Sequence, residues 1–264
     1  MRLIGLFFLT ISFVYAQIEV RDIKVKKLDE PSGLLVSQKY PDIFWSHNDS
    51  GDKARLYAFD KNSLEKVKKI KIKKADNVDW EDITYHKGNI VIGDFGNNKN
   101  RRKDLTLYTI KEPNPYKDKK AKLISKQRFN FSDQENSRLK RKNFDCEAIF
   151  SFGDELYLLT KHRADNNTTL YHLQGKRAQK LASFEMDRRV TGADSDGKRV
   201  VILTYGSLYL FEPKKIDKNF FKRGFRYKEL KDVGQVEGVA LDAKRLHVIS
   251  EEGRLYTLHV SDLK

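Results

Sequence analysis

The chain has 264 residues, a formal net charge of +15 and 34% charged residues against 39% hydrophobic ones. This balance excludes a membrane-embedded bundle and an acidic disordered protein. Aromatic residues make up 11% of the chain, and proline and glycine are too few for a low-complexity linker, so we expect a folded, basic protein. Because there is only one cysteine, Cys146, an internal disulfide is excluded, and we expect this thiol to be buried in the core.

Residues 1–16 have the pattern of a secretory signal peptide. Arg2 precedes an apolar run from 3 to 14, and Ala16 precedes the expected cleavage before Gln17. The pattern predicts export to the periplasm or the medium, with 17–264 as one mature domain. The apolar run is shorter than the ~20 residues that a membrane helix needs, and no later stretch approaches that length, so we predict no transmembrane segment.

A short pattern recurs five times along the mature chain. Each repeat has a polar residue, a small or acidic one and an aliphatic one, followed by an apolar strand-like run and a Leu-Tyr pair. The Leu-Tyr pairs begin at Leu56, Leu107, Leu170, Leu208 and Leu255. Repeats of roughly 40–50 residues built from short strands and turns are typical of β-propellers. The pattern therefore predicts an all-β protein with a single propeller of five four-stranded blades.

The outermost strand of each blade can be assigned as well. Four of these strands are predicted at 67–73, 121–131, 179–186 and 225–233, whereas the fifth repeat ends at Val260 without room for one. The alternating segment 18–28 can supply it, so we predict that the N-terminal strand completes the last blade and removes an exposed edge. The alternative architecture is six blades, with a degenerate sixth repeat within 111–144.

A propeller turns the recurrent polar position into a ring around its central channel, because the innermost strands all run beside it. The ring consists of Ser32, Glu81, Glu147, Thr191 and Glu237. Oxygen ligands without His or Cys favour Ca²⁺ over Zn²⁺, so these five residues are candidate metal ligands and Ca²⁺ is the expected cofactor. A solvated polar channel neutralised by Lys161 and Arg189 is the alternative.

The middle strands end at the same mouth and bring further candidate residues. They are His47, Asp49, Asp94, Lys161 and Tyr205. In a Ca²⁺-dependent hydrolase of phosphate esters or lactones, Asp49 or Asp94 would position water and His47 would act as general base. In a binding protein, Lys161, Arg189 and Tyr205 would hold an anionic ligand.

The most basic segment follows the second repeat. Residues 111–144 carry eleven lysines and arginines against four acids, and they end in a cationic stretch that includes Arg141 and Lys142. We expect this stretch at the channel rim, where it can bind an anion. The expected partner is an anionic small molecule or an envelope polymer; nucleic acid is not expected, because the protein is exported and no basic tract with interleaved aromatics stands out. We expect a monomer.

Several motifs occur in the order found in a family of bacterial exported propeller proteins, which the mature chain resembles nearly throughout. They are WSHNDSG (45–51), WEDI (80–83), GDFGNN (93–98), EAI (147–149) and TGAD (191–194). The resemblance implies a propeller and export, and it implies no particular reaction. The last motif departs from the pattern, since Gly238 follows Glu237 where the resemblance leads us to expect alanine. The first function hypothesis is thus an envelope binding protein, and the second is the Ca²⁺-dependent hydrolase.

Overall fold

The computed structural model describes residues 18–134, 143–163 and 165–264. These residues form five β-sheets that are the blades of a propeller. The prediction of five blades is confirmed, and the described part of 111–144 adds strands to blades 1, 2 and 3 instead of forming a sixth blade. The signal peptide predicted for 1–16 lies outside the described residues.

The first two blades follow the N-terminal strand β1 (Glu19–Asp22). Blade 1 contains β2 (Pro31–Val36), β3 (Ile43–Asn48), β4 (Arg55–Asp60) and β5 (Lys66–Ile72). Blade 2 contains β6 (Trp80–His86), β7 (Asn89–Asp94), β8 (Thr106–Ile110) and β10 (Leu123–Arg128). The two short strands β9 (Lys120–Ala121) and β11 (Asn130–Phe131) lie before and after β10 in the chain.

The remaining three blades follow the same antiparallel order. Blade 3 contains β12 (Asp145–Phe152), β13 (Glu155–Lys161), β14 (Asn167–Gln174) and β15 (Arg177–Glu185). Blade 4 contains β16 (Val190–Ser195), β17 (Val200–Thr204), β18 (Ser207–Phe211) and β19 (Arg226–Glu229), with a 3-10 turn at Phe220–Arg223. Blade 5 contains β20 (Val236–Asp242), β21 (Arg245–Ser250) and β22 (Arg254–His259), followed by a 3-10 turn at Val260–Asp262.

Two blades carry a fifth strand that the sequence did not predict. β9 pairs in parallel with β5 at the edge of blade 1, and β11 pairs in parallel with β15 at the edge of blade 3. The predicted outer strand 121–131 is therefore divided among three blades: its first residue, Ala121, lies in blade 1, 123–128 in blade 2 and 130–131 in blade 3. The division follows from packing, because Phe129 and Phe131 are both buried in the apolar layer between blades 2 and 3.

The N-terminal strand closes the ring as predicted. β1 pairs antiparallel with β22, from Glu19 opposite Thr257 to Asp22 opposite Arg254. The first described strand thus supplies the outermost strand of the last blade, and the edge of β22 has a partner.

Apolar layers between neighbouring blades form the core and explain the Leu-Tyr repeat. In β4, Leu56 and Ala58 pack toward blade 2, whereas Tyr57 and Phe59 pack toward blade 5. Side chains alternate along a strand, so one Leu-Tyr pair serves two interfaces. Cys146 is fully buried in the layer between blades 2 and 3, as expected.

The closure between blades 5 and 1 gives a reason for glycine at position 238. A Cβ atom at Gly238 would lie 2.7 Å from the carbonyl carbon of Gly33 and 2.8 Å from the nitrogen of Leu34. The innermost strands β20 and β2 approach too closely at this point for any side chain.

Within the described residues, no helix has the length and apolar character that a bilayer-spanning helix needs.

Candidate functional site

The innermost strands β2, β6, β12, β16 and β20 contact one another in a closed ring around the axis. Each of them contains a β-bulge near the channel mouth. In four blades the unpaired residue is the recurrent polar one: Glu81, Glu147, Thr191 and Glu237. In blade 1 the unpaired residue is Gly33, next to Ser32. A bulge removes a residue from the ladder and redirects its side chain, so the fold itself sets these positions apart.

A polar cavity of about 150 Å³ lies at the mouth of the channel. Its lining consists of Glu30, Ser32, Asp49, Glu81, Asn98, Glu147, Lys161, Arg163, Tyr205, Glu237 and Glu251. Six of these residues are acids and two are bases. The structure therefore brings together the three glutamates predicted to share the channel, although they are far apart in the sequence.

Two groups of carboxylates within this region are compact enough to share one cation. Asp49, Asp79 and Glu81 each offer an oxygen, and these oxygens lie within 4.8 Å of one another. Glu81, Asp145 and Glu147 form a second group with the same spacing. Glu81 belongs to both groups, which makes it the central acid of the site.

Burial and mutual repulsion make these carboxylates costly to ionise. Burial, together with the charge of Glu147, raises the pKa of Glu81 well above its ordinary value. Burial, together with the Asp49 charge, raises the pKa of Asp79 to about 6. Burial also raises the pKa of Glu237 to about 7. A cation within the cavity would reverse this penalty, because it favours the charged form of each acid.

Two basic side chains lie on the blade 3 side of the cavity. The Lys161 ammonium donates to Glu147 Oε2 at 2.6 Å and to the Tyr205 hydroxyl at 3.1 Å. Burial alone would lower the pKa of Lys161, but the Glu147 carboxylate raises it above its ordinary value. Arg163 donates from Nε to Asp145 at 2.5 Å, and its Nη2 lies 3.6 Å from Glu147 Oε1. This Glu147 Oε1 atom is buried and accepts no hydrogen bond from the described residues.

Several predicted site residues lie away from the cavity lining. His47 is fully buried against Trp80, with ring centroids 5.4 Å apart, and burial lowers its pKa to about 4. The Thr191 hydroxyl donates to the Val236 carbonyl at 2.7 Å and joins blade 4 to blade 5. Arg189 donates to the backbone oxygen of Arg163 at 3.1 Å. Arg141 and Lys142 lie outside the described residues.

Asp94 does not line the cavity, and its carboxylate is held by other partners. It forms an ion pair with Arg102 at 2.9 Å and accepts a hydrogen bond from the Asp79 amide. Gly96 is the blade 2 residue that corresponds to Tyr205 of blade 4. The two amides make equivalent hydrogen bonds, from Gly96 to the Asp79 carbonyl and from Tyr205 to the Arg189 carbonyl. A Cβ atom at Gly96 would lie only 2.0 Å from Glu81 Oε1, so this glycine leaves room for the glutamate.

Spacing along the innermost strands predicts Asp79 and Asp145 on the channel face, whereas the sequence analysis did not single out Arg163. Asp79 and Asp145 complete the two carboxylate groups, and Arg163 neutralises part of the second. The two acids precede Glu81 and Glu147 by two residues and therefore share a strand face with them, which is a periodicity signal. Arg163 follows β13 in a connection that differs among the repeats, so no recurrence marks it.

Two further buried acids, Asp82 and Asp194, lie farther along the innermost strands from the mouth than the bulges. Asp82 lies on β6, and its Oδ2 accepts hydrogen bonds from the amides of Ile149 on β12 and Ala193 on β16, at 2.9 and 3.2 Å. Asp194 lies on β16 and accepts from the amide of Leu241 on β20 at 2.8 Å. These two carboxyl groups therefore connect four of the five innermost strands.

Fold and site together define a five-bladed propeller with an acidic cavity on its axis. No protein-family model and no curated protein sequence matches the chain. Among solved structures, the PQQ-bound aldose sugar dehydrogenase from Streptomyces coelicolor is similar, with a TM-score of 0.57 at 10% identity over 92% of this chain and 98% of that chain. Glutaminyl cyclase from Myxococcus xanthus has a TM-score of 0.56 at 11% identity over 92% and 95%. At these identities the likeness concerns the fold alone.

Proposed function

We propose that the protein is an exported binding protein whose channel mouth holds Ca²⁺ and uses this ion to recognise an anionic ligand. The observation that carries the proposal is the pair of carboxylate groups that share Glu81, one of them fully buried and the other partly buried. Six acids and only two bases line the cavity, so a bound cation would relieve their repulsion. The export component depends on the signal-peptide pattern at 1–16.

The chemistry of the donors supports Ca²⁺ over other ions. The two groups contain carboxylate oxygens only, and Ser32, Asn98 and Tyr205 in the lining add further oxygens. Hard cations such as Ca²⁺ take six to eight oxygen ligands in flexible geometry, whereas Zn²⁺ prefers nitrogen and sulfur. The hydrogen-bond-free Oε1 of Glu147 is an available ligand atom.

The ligand class follows from the bases beside the carboxylates. Lys161 and Arg163 line the same cavity as Glu81, so a carboxylate or phosphate bound to the ion would also meet their N–H donors. The cavity volume of about 150 Å³ fits a small anionic group rather than a whole large ligand. The group could belong to a small molecule or to the end of an envelope polymer.

Calorimetric titration of the purified mature protein with CaCl₂ tests this proposal. We expect one ion per chain in the wild type, no binding in Glu81→Gln, and unchanged binding in Glu185→Gln, since Glu185 is exposed and lies outside the cavity. Urea unfolding of both variants shows whether they remain folded. Wild-type protein that neither binds nor is stabilised by millimolar Ca²⁺ would contradict the proposal, as would a Glu81→Gln variant that binds normally.

A second candidate function is hydrolysis of phosphate esters or lactones at the same site. Glu237 lines the cavity with Lys161 and Tyr205, belongs to neither carboxylate group, and has its pKa raised by burial to about 7. A carboxyl group with this pKa can take a proton from attacking water and return it to the leaving oxygen at neutral pH. Ca²⁺, when bound, would polarise the phosphoryl or carbonyl oxygen.

A substrate panel separates the two candidates. The hydrolase reading predicts turnover of a phosphomonoester or a lactone that requires Ca²⁺, is lost in Glu237→Gln and persists in Glu185→Gln. Retained Ca²⁺ binding by Glu237→Gln would show that the ion site is intact. Ca²⁺ binding without turnover on the whole panel would leave the binding function alone.

A further inference from the structure

The outer part of blade 1 places positive charges directly opposite one another on three adjacent strands. Arg55 on β4 pairs in register with Lys71 on β5, and Lys71 pairs in register with Lys120 on β9. Strands lie about 4.8 Å apart, and residues in register project from the same face. Like charges directly opposite in a sheet are destabilising, so this row costs free energy unless an anion neutralises it.

Further lysines enlarge the row into a patch. Lys69 precedes Lys71 by two residues on β5, opposite Tyr57, so it projects from the same face. Slight burial lowers the pKa of Lys69, the charges of Arg55 and Lys27 lower it further, and the charge of Asp52 opposes them. We define the cationic ladder as Lys27, Arg55, Lys69, Lys71 and Lys120.

Little within the protein neutralises this ladder. Arg55 pairs with Asp52 at 3.3 Å, and no ion pair involves the other four members among the described residues. These four lysines are exposed. The wider segments 66–74 and 117–128 carry twelve lysines and arginines against a single acid, Asp118, and Lys126 is the one of these twelve that forms an ion pair there, with Asp76.

The shape of the ladder favours an extended polymer over a membrane surface. Its charges run across the strands in a line, and β4, β5 and β9 carry none of the large exposed apolar residues of the described chain, which are Val20, Val78, Tyr116, Ile124 and Phe225. Proteins that bind bilayers add apolar or aromatic side chains that enter the interface. A line of cationic side chains at strand spacing instead matches a chain with closely repeated negative charges.

We propose that the cationic ladder on blade 1 binds an extended acidic polysaccharide that carries a carboxylate on each sugar. Such a polymer crosses β4, β5 and β9 and neutralises the Arg55, Lys71 and Lys120 row. The ladder is separate from the channel mouth, so the protein can hold a polymer on the outside of blade 1 while its axial cavity remains open. This surface is independent of the Ca²⁺ site, and the Glu81→Gln variant binds the polymer as the wild type does.

Binding to polygalacturonate, measured by biolayer interferometry with the mature protein, tests the proposal. The matched variants are Lys71→Gln/Lys120→Gln in the ladder and Lys214→Gln/Lys218→Gln on blade 4, which remove the same charge from exposed positions. The ladder variant should lose roughly thirtyfold in affinity, because each of its two lysines contributes about 1 kcal/mol near an anionic surface and every 1.4 kcal/mol is a factor of ten. Wild-type affinity should also fall steeply between about 50 and 200 mM salt.

Three outcomes would overturn the proposal. Equal losses in the two double variants would show that net charge alone attracts the polymer. Absence of binding to polygalacturonate at low salt would remove the proposed partner. Tighter binding to phosphatidylglycerol vesicles or to duplex DNA than to polygalacturonate, lost on the same ladder substitutions, would assign the surface to a different polyanion. Dextran, an uncharged polysaccharide, should not bind any of the proteins.

Discussion

Replacement of Lys161 by methionine tests the electrostatic account of the channel mouth. Lys161 is 3% exposed, and its ammonium group lies 2.6 Å from Oε2 of Glu147, which is 1% exposed. At an effective dielectric constant of about 20, two unit charges at this distance attract by about 6 kcal/mol before desolvation is subtracted. Removing one partner of a buried pair costs about 3–5 kcal/mol, because the other charge stays buried.

The lower end of that range applies here. Arg163 Nη2 is 3.6 Å from the other oxygen of Glu147 and still compensates part of its charge. We therefore expect Lys161→Met to lower the free energy of unfolding by about 3 kcal/mol. For a domain of this size such a loss corresponds to a decrease in Tm of roughly 6–12 °C. Urea unfolding followed by intrinsic fluorescence, together with differential scanning fluorimetry, measures both quantities.

A double-mutant cycle separates this pair from general damage to the core. Lys161→Met/Glu147→Gln removes both charges, so it should be more stable than Lys161→Met alone, with a coupling free energy of about 2 kcal/mol. Lys214→Met on the surface should change stability by less than about 0.5 kcal/mol. The reasoning would be refuted if the stability loss of the double variant equalled the sum of the losses of the two single variants. It would also be refuted if Lys161→Met were as stable as the wild type.

Three further predictions concern the fold around the cavity. Asp82 accepts backbone N–H groups at both oxygens, from Ile83 at Oδ1 and from Ile149 and Ala193 at Oδ2, whereas the NH₂ of an asparagine cannot accept. Asp82→Asn should therefore lower stability by about 1–3 kcal/mol in urea unfolding, and an unchanged midpoint would contradict this role. Burial raises the pKa of Asp194 from 3.8 to about 7 in the folded state. Between about pH 4 and 7 the folded protein therefore binds one proton more than the unfolded chain, so the free energy of unfolding should decline as the pH rises. Asp194→Asn should flatten this part of the profile, and an equally steep decline in the variant would exclude Asp194 as its source. Deletion of residues 18–22 removes β1 and exposes the outer edge of β22, which keeps only β21 as a partner. Size-exclusion chromatography should then show oligomers or aggregates, whereas a monomer of wild-type Tm would show that β1 is dispensable.

The sequence predicted the architecture because the repeats report packing. The five Leu-Tyr pairs mark one strand in each blade whose alternate side chains fill two interfaces, as Leu56 and Tyr57 do in blade 1. Because the fifth repeat lacks an outer strand, the sequence correctly predicted that the N-terminal segment pairs with the last blade, at β22. The extra strands β9 and β11 escaped prediction, because a two-residue parallel pairing has no periodicity to detect.

The site was predicted less completely because small shifts along a strand change where a side chain points. The recurrent glutamates were found since they occupy one structural position, marked by a bulge in four blades. Asp94, predicted at the mouth, is not part of the cavity lining, since blade 2 has the buried Phe95 before the equivalent position at Gly96. His47 projects into the blade interface beside Trp80 rather than toward the axis. Such differences arise from the local spacing within one blade, which a pattern shared by all five repeats does not show.

A crystal structure of the mature protein grown with Ca²⁺, with anomalous differences recorded, tests the central claim most directly. We predict one anomalous peak in the axial cavity, at about 2.3–2.6 Å from a Glu81 oxygen and from carboxylates of at least one of the two groups. Only ordered water between Glu81 and Glu147 at saturating Ca²⁺, or a calcium ion bound elsewhere on the surface, would contradict it.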